Sequence, residues 1–569
     1  IGMLLLLFII MDILVTTVLQ IINIPMSSAN VIISAIITII IFLLLNRKRL
    51  NNKNKIAYLI SIIITIFITI ISTYIIGKTY DTTCDGNFYH KPAVGLIKEG
   101  WNPLYESSEE FCKENDNEIQ DKGQFLWMDH YPKVTWNFGA SIYAITNNIE
   151  SGKVIGLLLM ISIACLTYAY LSDRLLKKWQ AALVALALVV NPITMAQLFT
   201  YYVDGIMGLL VYGIILFLIM LSDKKYMQLN EVEKWIGLAA EIILCMNIKF
   251  TGIYFAAIFS IVFYSIWVAK CLKEKNRQSD IIKITSKFAT IVIVGIVFVG
   301  ASTYVKNTID HKNPVYPIIG NDKVDIITTM QPQSYEHKNR VSKLFESIFS
   351  VSENITYTSG DSPKLKIPFT MQDKEIENLA IPDTRIGGYG ILFSGIFIVS
   401  IIAIVYIVIK LIKNKNQELT YILAILSGIA ISTIFMAESW WARYSPQIYL
   451  IIILAMFGLF YISNIEENKK YKIALNVITT VIFCITILNV STFVYWRIKD
   501  YNTIKSINNS LYTLKETTTA SQEKTDIAFN ETYYYGILFN IRDYGIHNYN
   551  LTDNKENKER YVYNYQIIY

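Results

Sequence analysis

Residues Ile56–Gly77 read IAYLISIIITIFITIISTYIIG, and the fifteen that follow, Lys78–Pro92, read KTYDTTCDGNFYHKP. The first run carries no charge over 22 residues, and about 20 apolar residues are enough to cross the hydrocarbon core of a bilayer. The second turns at once into a polar, acidic and aromatic loop. An apolar span that ends on two aspartates marks a membrane protein and makes the span's end a candidate site.

Outward from that stretch the same alternation repeats. Of the 569 residues 53% are hydrophobic and only 17% charged, whereas soluble domains carry about a quarter charged residues. A soluble enzyme, a secreted disulfide scaffold and a disordered chain are excluded. Apolar runs give about thirteen spans, near 3–22, 31–45, 56–77, 153–173, 179–197, 204–222, 234–248, 251–270, 287–304, 389–412, 418–436, 445–463 and 471–492. Basic residues collect in six connectors: Arg47 to Lys55, Arg174 to Lys178, Lys224-Lys225, Lys270 to Lys287, Lys410 to Lys415 and Lys469 to Lys472. All six fall on one side of a thirteen-span count, which predicts a cell-membrane protein with a cytoplasmic N-terminus and an extracytoplasmic C-terminus. The net charge of +6 is what such anchoring loops produce, and it gives no reason to invoke nucleic acid.

The first run reads as a span rather than a cleavable signal, because no basic leader or small-residue cleavage site accompanies it. A start at Ile1 reads as lacking the initiator Met. Three outer segments hold most of the polar mass: a loop at 78–152, a loop at 305–388 and a tail at 493–569, the last predicted as a small α/β region with alternating stretches such as Arg560-Tyr561-Val562-Tyr563. Residues 1–492 are read as the membrane domain. Of six cysteines, Cys165, Cys245, Cys271 and Cys484 lie in or beside spans and read as small apolar packers. Cys84 and Cys112 share the first outer loop, where an oxidising setting would allow a disulfide.

Candidate chemistry gathers at the outer ends of spans. Asp85 and Tyr89 are four apart and share a face if helical. A carboxylate there either caps a helix in a wet loop or takes the proton of an acceptor hydroxyl as general base. His90 follows. The loop closes on Trp127-Met128-Asp129-His130-Tyr131-Pro132-Lys133, with Trp101 and Trp136 nearby. The tryptophans read as an interfacial belt, and Lys133 either snorkels or neutralises a lipid phosphate. Gln197, Tyr202 and Asp204 follow the Asn191-Pro192 kink and reach the same outer side. Lys249 stands in an outer turn, Lys249-Phe250-Thr251-Gly252, as anchor or ligand. In the second outer loop Asp383-Thr384-Arg385 leads to Gly387-Gly388-Tyr389-Gly390, glycines that allow close approach or unusual dihedrals. The sharpest segment is Glu438-Ser439-Trp440-Trp441-Ala442-Arg443-Tyr444, where a planar guanidinium among aromatics either pairs with Glu438 or grips phosphate oxygens.

On Asp85-x-x-x-Tyr89-His90, Tyr131-Pro132-Lys133 and Trp441-Ala442-Arg443-Tyr444 the chain resembles the GT-C superfamily of polytopic glycosyltransferases, such as protein O-mannosyltransferases and the lipid A aminoarabinose transferase. The resemblance implies an all-α membrane domain and transfer of a sugar from a polyprenyl-phosphate donor to a hydroxyl on a glycan, lipid or protein acceptor at the outer face, amid membrane lipid. It implies Asp85 as base and Lys133 and Arg443 on the phosphate, with Tyr89, His90, Tyr131, Trp441 and Tyr444 beside the substrate; Gln197, Tyr202, Lys249 and Arg385, read from their place at the outer side, join them as candidate substrate contacts. Family members often carry a second acid after the first, where this chain has Gly86. Asp81, Asp129 and Asp204 are the remaining candidates for it, and Asp85 with such a carboxylate could hold a divalent cation, magnesium or manganese. Two extra spans precede the first catalytic loop.

Rival classes predict other patterns. A transporter or flippase needs charges near the midplane and matched broken halves, whereas only Asp12 and Glu241 sit inside apolar runs and no repeat is visible. An oligosaccharide polymerase or en bloc transferase would use the same lipid phosphate for a longer glycan. A scaffold would do without Asp85.

Overall fold

The protein is described by a computed structural model covering residues 1–50, 54–119, 121–273, 278–321, 323–324, 330–353, 362–414, 416, 418–520, 524–529, 535–551, 559–562 and 565–568. Lys415, part of a basic connector, and Tyr563 of the tail lie outside them. The helices in chain order begin with α1 (Gly2–Ile21), α2 (Ser28–Leu45) and α3 (Lys55–Gly77). The first outer loop holds α4 (Lys91–Glu99), α5 (Ser108–Glu114), α6 (Lys122–His130) and α7 (Val134–Thr146). Then come α8 (Ile155–Arg174), α9 (Lys178–Val189), α10 (Pro192–Gln197), α11 (Asp204–Ser222), α12 (Glu231–Ile248), α13 (Phe250–Lys273) and α14 (Gln278–Ile293). The second outer loop holds α15 (Lys306–His311), α16 (Arg340–Phe349) and α17 (Glu375–Asn378); α18 (Phe393–Lys413), α19 (Glu418–Phe435), α20 (Leu450–Ile465) and α21 (Lys469–Ala520) follow.

Among the described residues, eleven helical segments are long and apolar enough to cross a membrane, so the chain is a multi-pass membrane protein whose membrane part is all-α. They coincide with eleven of the thirteen sequence spans. The other two differ for physical reasons. The run at 179–197 is the 12-residue helix α9, a break, and the short α10, whose Asn191 caps it by accepting from the Thr194 N–H (3.0 Å); proline at its first position fits that start. The run at 234–248 lies in α12, which carries Glu231, Glu233, Lys234 and Glu241. Glu233 is tied to Arg49 (3.1 Å).

α1, α11 and α20 are mostly buried and form the centre, whereas α3 and α14 present most of their apolar side chains outward. α21 is one helix of 52 residues, roughly 78 Å long at 1.5 Å per residue. It passes through position 492 without a break. Its outer part holds the second outer loop: Asn489 Nδ2 donates to the Tyr389 carbonyl and its Oδ1 accepts from the Leu392 N–H (2.8 Å each), and Arg497 donates to the Ala380 carbonyl (2.7 Å). Gly390, with φ of +105°, stands where a Cβ would strike Asn489.

The tail forms a four-stranded sheet of β1 (Thr525–Phe529), β2 (Tyr549–Leu551), β3 (Glu559–Val562) and β4 (Tyr565–Ile568) in the order β2-β1-β4-β3. β1 pairs parallel with β2 and antiparallel with β4. Between β1 and β2, α22 (Tyr535–Asp543) packs on the first outer loop. Its Asn540 joins a buried network around Glu150, which holds Lys91 at 2.7 Å and Lys153 at 2.5 Å and accepts from the Asp81 N–H (3.1 Å) and Asn540 Nδ2 (3.0 Å). Three residues further along α22, Asp543 accepts from Tyr143 Oη (2.5 Å) and from the Ile149 N–H (2.7 Å). The tail thus clamps the loop that carries Asp85. Cys84 and Cys112 are not joined: one thiol is exposed and the other buried.

Candidate active site

The loop after α3 is shaped before any reactive group appears. Asp81 is buried, and its oxygens accept from the N–H groups of Thr83 (2.8 Å) and Tyr201 (2.7 Å). Its two oxygens thus hold backbone. Asp85 stands at the start of a π-helical turn, Gly86–His90, yet its carboxylate caps none of the turn's amides. A Cβ at Gly86 would run into the Asp81 carboxylate, so the chain has no room for a second acid beside Asp85.

The Asp85 carboxylate faces Arg443 instead. Arg443 lies on a 3-10 turn, Ala442–Tyr444, between α19 and α20, and its guanidinium meets three carboxylates from three distant segments. Nη1 is 3.3 Å from Asp85 and 3.7 Å from Asp204, and Nε is 3.1 Å from Asp383. Its planar face lies over Trp441, Tyr202 and Tyr444, at 4.7, 4.9 and 5.1 Å from their ring centres. Lys249 pairs with Asp204 and sits 4.2 Å above the Tyr444 ring. Arg385 pairs with Asp383 (2.5 Å) and stacks on Trp441 (4.6 Å). Gln197 donates to Asp204 (3.5 Å). Three acids and three cations therefore balance within one aromatic cage.

Exposure separates these acids. The Asp85 side chain is 31% exposed, against 1% for Asp204 and 9% for Asp383, so Asp85 is the carboxylate an incoming molecule reaches. Packing around it still pushes its pKa above the ordinary aspartate range; Arg443 pulls it back and Asp383 and Asp204 add to the rise. Beneath Asp85 lie stacked rings. Tyr89 packs on His90 (4.3 Å), Tyr131 (5.7 Å) and Trp127 (6.0 Å). His90 Nδ1 accepts from Trp136 Nε1 (2.8 Å), and burial lowers its pKa to about 3. It stays a neutral acceptor across physiological pH.

Two expected residues stand apart. Lys133 is buried, and its ammonium donates to the carbonyls of Asp129 (2.8 Å) and Tyr131 (2.9 Å); burial takes its pKa down to about 7. Asp129 accepts from the Ser108 N–H (2.7 Å) at the start of α5. The structure does not bring either to the Arg443 cluster. Asp383 is the cluster member to which the sequence assigned no role, although the Asp383-Thr384-Arg385 pair beside a glycine-rich turn was visible in it. Among the described residues no group of three His, Cys, Asp or Glu side chains is arranged to hold a metal ion.

The arrangement defines a polytopic helical membrane protein with a charge-balanced, aromatic-walled cluster at the loop-bearing ends of its helices. In overall arrangement the chain is similar to the crystal structure of ArnT from Cupriavidus metallidurans bound to undecaprenyl phosphate, with 10% sequence identity and a TM-score of 0.46 over 86% of this chain and 85% of that one. It is similar to the apo structure of that protein at 8% identity and a TM-score of 0.42, covering 87% and 86% of the two chains. No family model matches the sequence, and no curated protein matches it.

Proposed function

We propose that the protein is a membrane glycosyltransferase that moves a sugar from a polyprenyl-phosphate donor to a hydroxyl acceptor on the outer face of the membrane, with the N-terminus cytoplasmic and the C-terminus outside. The carrying observation is Asp85: a partly exposed carboxylate with raised pKa, 3.3 Å from a guanidinium caged by aromatic rings. In this reading the acceptor O–H gives its proton to Asp85 while its oxygen bonds the anomeric carbon. The carbon–oxygen bond to phosphate breaks, and the electron pair leaves with the lipid phosphate toward Arg443 and Lys249. A single displacement of this kind inverts the anomeric centre. Arg443 is already neutralised by acids, so a phosphate must compete with Asp85 for its fork. Donor binding then frees Asp85 at the moment a base is needed, and cations fixed beforehand act most where charge builds in the transition state.

The test is release of free polyprenyl phosphate from a panel of polyprenyl-phosphate sugars by purified protein in liposomes, with an acceptor extract supplied. Release from no donor by folded protein sinks the reading, and repeating the assay with a chelator, then with magnesium or manganese, reads whether a divalent cation takes part. Lys249→Gln is expected to lower kcat/KM for the donor by roughly 10- to 100-fold, the worth of one charge-assisted hydrogen bond; an unchanged value removes Lys249 from phosphate binding.

The pH profile gives a further check. Activity requires ionised Asp85, so kcat/KM falls as pH drops through its raised pKa, and the acid limb lies above the ordinary aspartate value of about 3.9. A limb at or below that value contradicts the assignment. His90, already neutral, contributes no limb between about pH 5 and 8.

A further inference from the structure

α16 lies outside every candidate span, yet one stripe of it is apolar and uncovered. Val341 and Phe345, four residues apart, are 65% and 56% exposed, and Phe349, half-buried against the core, continues the stripe toward the protein. The opposite stripe is turned inward. Lys343 and Ser347 are buried; Ser347 Oγ donates to the Trp440 carbonyl (2.6 Å), and its own carbonyl accepts from the Gly387 N–H (2.9 Å).

A second apolar strip runs beside it. The Val351 N–H donates to the Lys364 carbonyl (2.8 Å) and the Lys366 N–H to the Phe349 carbonyl (2.9 Å), which lays residues 364–371 along the end of α16. In that strip Leu365, Ile367, Phe369 and Met371 are exposed, Ile367 to 74%. Soluble surfaces seldom leave so many large apolar side chains open in one region.

What covers it follows from where it leads. The Phe345 ring lies 4.7 Å from Phe349, and Phe349 lies 6.5 Å from Phe397 in the second turn of α18. Phe369 packs against Gly395 in the first turn. Arg340 donates to the carbonyl of Phe435 (3.2 Å), the last residue of α19. From those two helix ends the same surface continues down outward-facing side chains, Ile398, Ile402 and Val405 on α18 and Ile431 and Ile434 on α19. These belong to candidate spans, so their solvent is lipid.

We propose that α16 and the 364–371 strip form a shelf seated in the outer leaflet, with the boundary between lipid headgroups and acyl chains as its partner. The shelf is built as interfacial helices are, one face apolar and one polar. Its inner face holds Trp440 and Gly387, which flank Trp441 and Arg385, so the height of the candidate site's wall is set against the bilayer surface. This inference stands whether or not the sugar-transfer reading does.

The test places an environment-sensitive fluorophore on Phe345→Cys in proteoliposomes, with Glu377→Cys on α17 as the exposed comparison and the signal of identically treated wild type subtracted. A lipid bearing a spin label near the headgroup end of its acyl chain is expected to quench position 345 at least about twofold more than position 377, with aqueous iodide showing the reverse, as a depth of roughly 5–10 Å requires. Equal iodide quenching at both positions overturns the proposal, because the shelf then lies in water. Protection of position 345 from both quenchers also overturns it, because protein then covers the shelf. Val341→Cys repeats the measurement on the same stripe if Phe345→Cys does not elute as folded protein.

Discussion

If Asp85 is the proposed base, Asp85→Asn is expected to leave the fold intact and to lower the turnover of polyprenyl-phosphate sugar by about 10²–10⁴-fold, the usual contribution of a positioned general base. The fold survives because Asn matches Asp in shape and because Arg443 keeps Asp204 and Asp383 after the Asp85 charge is gone. Donor binding is expected to hold or tighten, since Asp85 no longer competes with the phosphate for Arg443, while the lost interaction, proton transfer from the acceptor, is made only in the transition state. The loss therefore falls on kcat, with KM unchanged or lower. Release of lipid phosphate in liposomes measures it, with thermal unfolding of the same preparation as the control for folding. Turnover within about threefold of wild type, smaller than any general-base contribution, would falsify the assignment of Asp85 and shift attention to the scaffold reading. Asp204→Asn makes a useful contrast. It strips a nearly inaccessible carboxylate from Lys249 and Arg443, so it should lower stability and activity together.

Glu150→Ala should cost about 3–5 kcal/mol of folding free energy, the range seen when one partner of a buried ion pair is removed. Glu150 holds two ammonium groups, Lys91 and Lys153, each within 2.7 Å, and all three side chains are at most 1% exposed. Without it both cations stay buried beside backbone carbonyls, while the Asp81 N–H and the Asn540 side chain each lose an acceptor. Equilibrium unfolding by detergent titration reads the loss. A cost below about 1 kcal/mol would rank the network with surface ion pairs and refute its structural role. Adding Lys153→Met to Glu150→Ala should recover part of the loss by removing one uncompensated charge.

Much of the membrane domain was legible because a span needs only an apolar run, and a run is local. The two segments that fall short, at 179–197 and 234–248, are those where helix-breaking Asn191-Pro192 and charged residues of α12 compete with apolarity. Asp85, Arg443, Trp441 and Tyr444 were legible for a related reason, as charged or ring-bearing groups at span ends. Their convergence was not, because Asp85, Asp204, Asp383 and Arg443 come from four segments and only the folded chain shows that one guanidinium serves three acids. Lys133 shows the limit of local context. Its aromatic neighbours are those of a phosphate ligand, but its ammonium is turned onto the carbonyls of its own loop. Lys91, Glu150 and Lys153 carry no such signal, since nothing in their spacing announces a partner in α22.

The hydrogen bond between Asn540 and Glu150 joins residues 390 positions apart, and that separation is also an interval of time. At about 5–20 residues per second a ribosome needs roughly 20–80 s to travel it. Throughout that interval the segment carrying Asp85 is already made, but the helix that braces it does not yet exist. For that time the loop carrying Asp85 has no tail to clamp it.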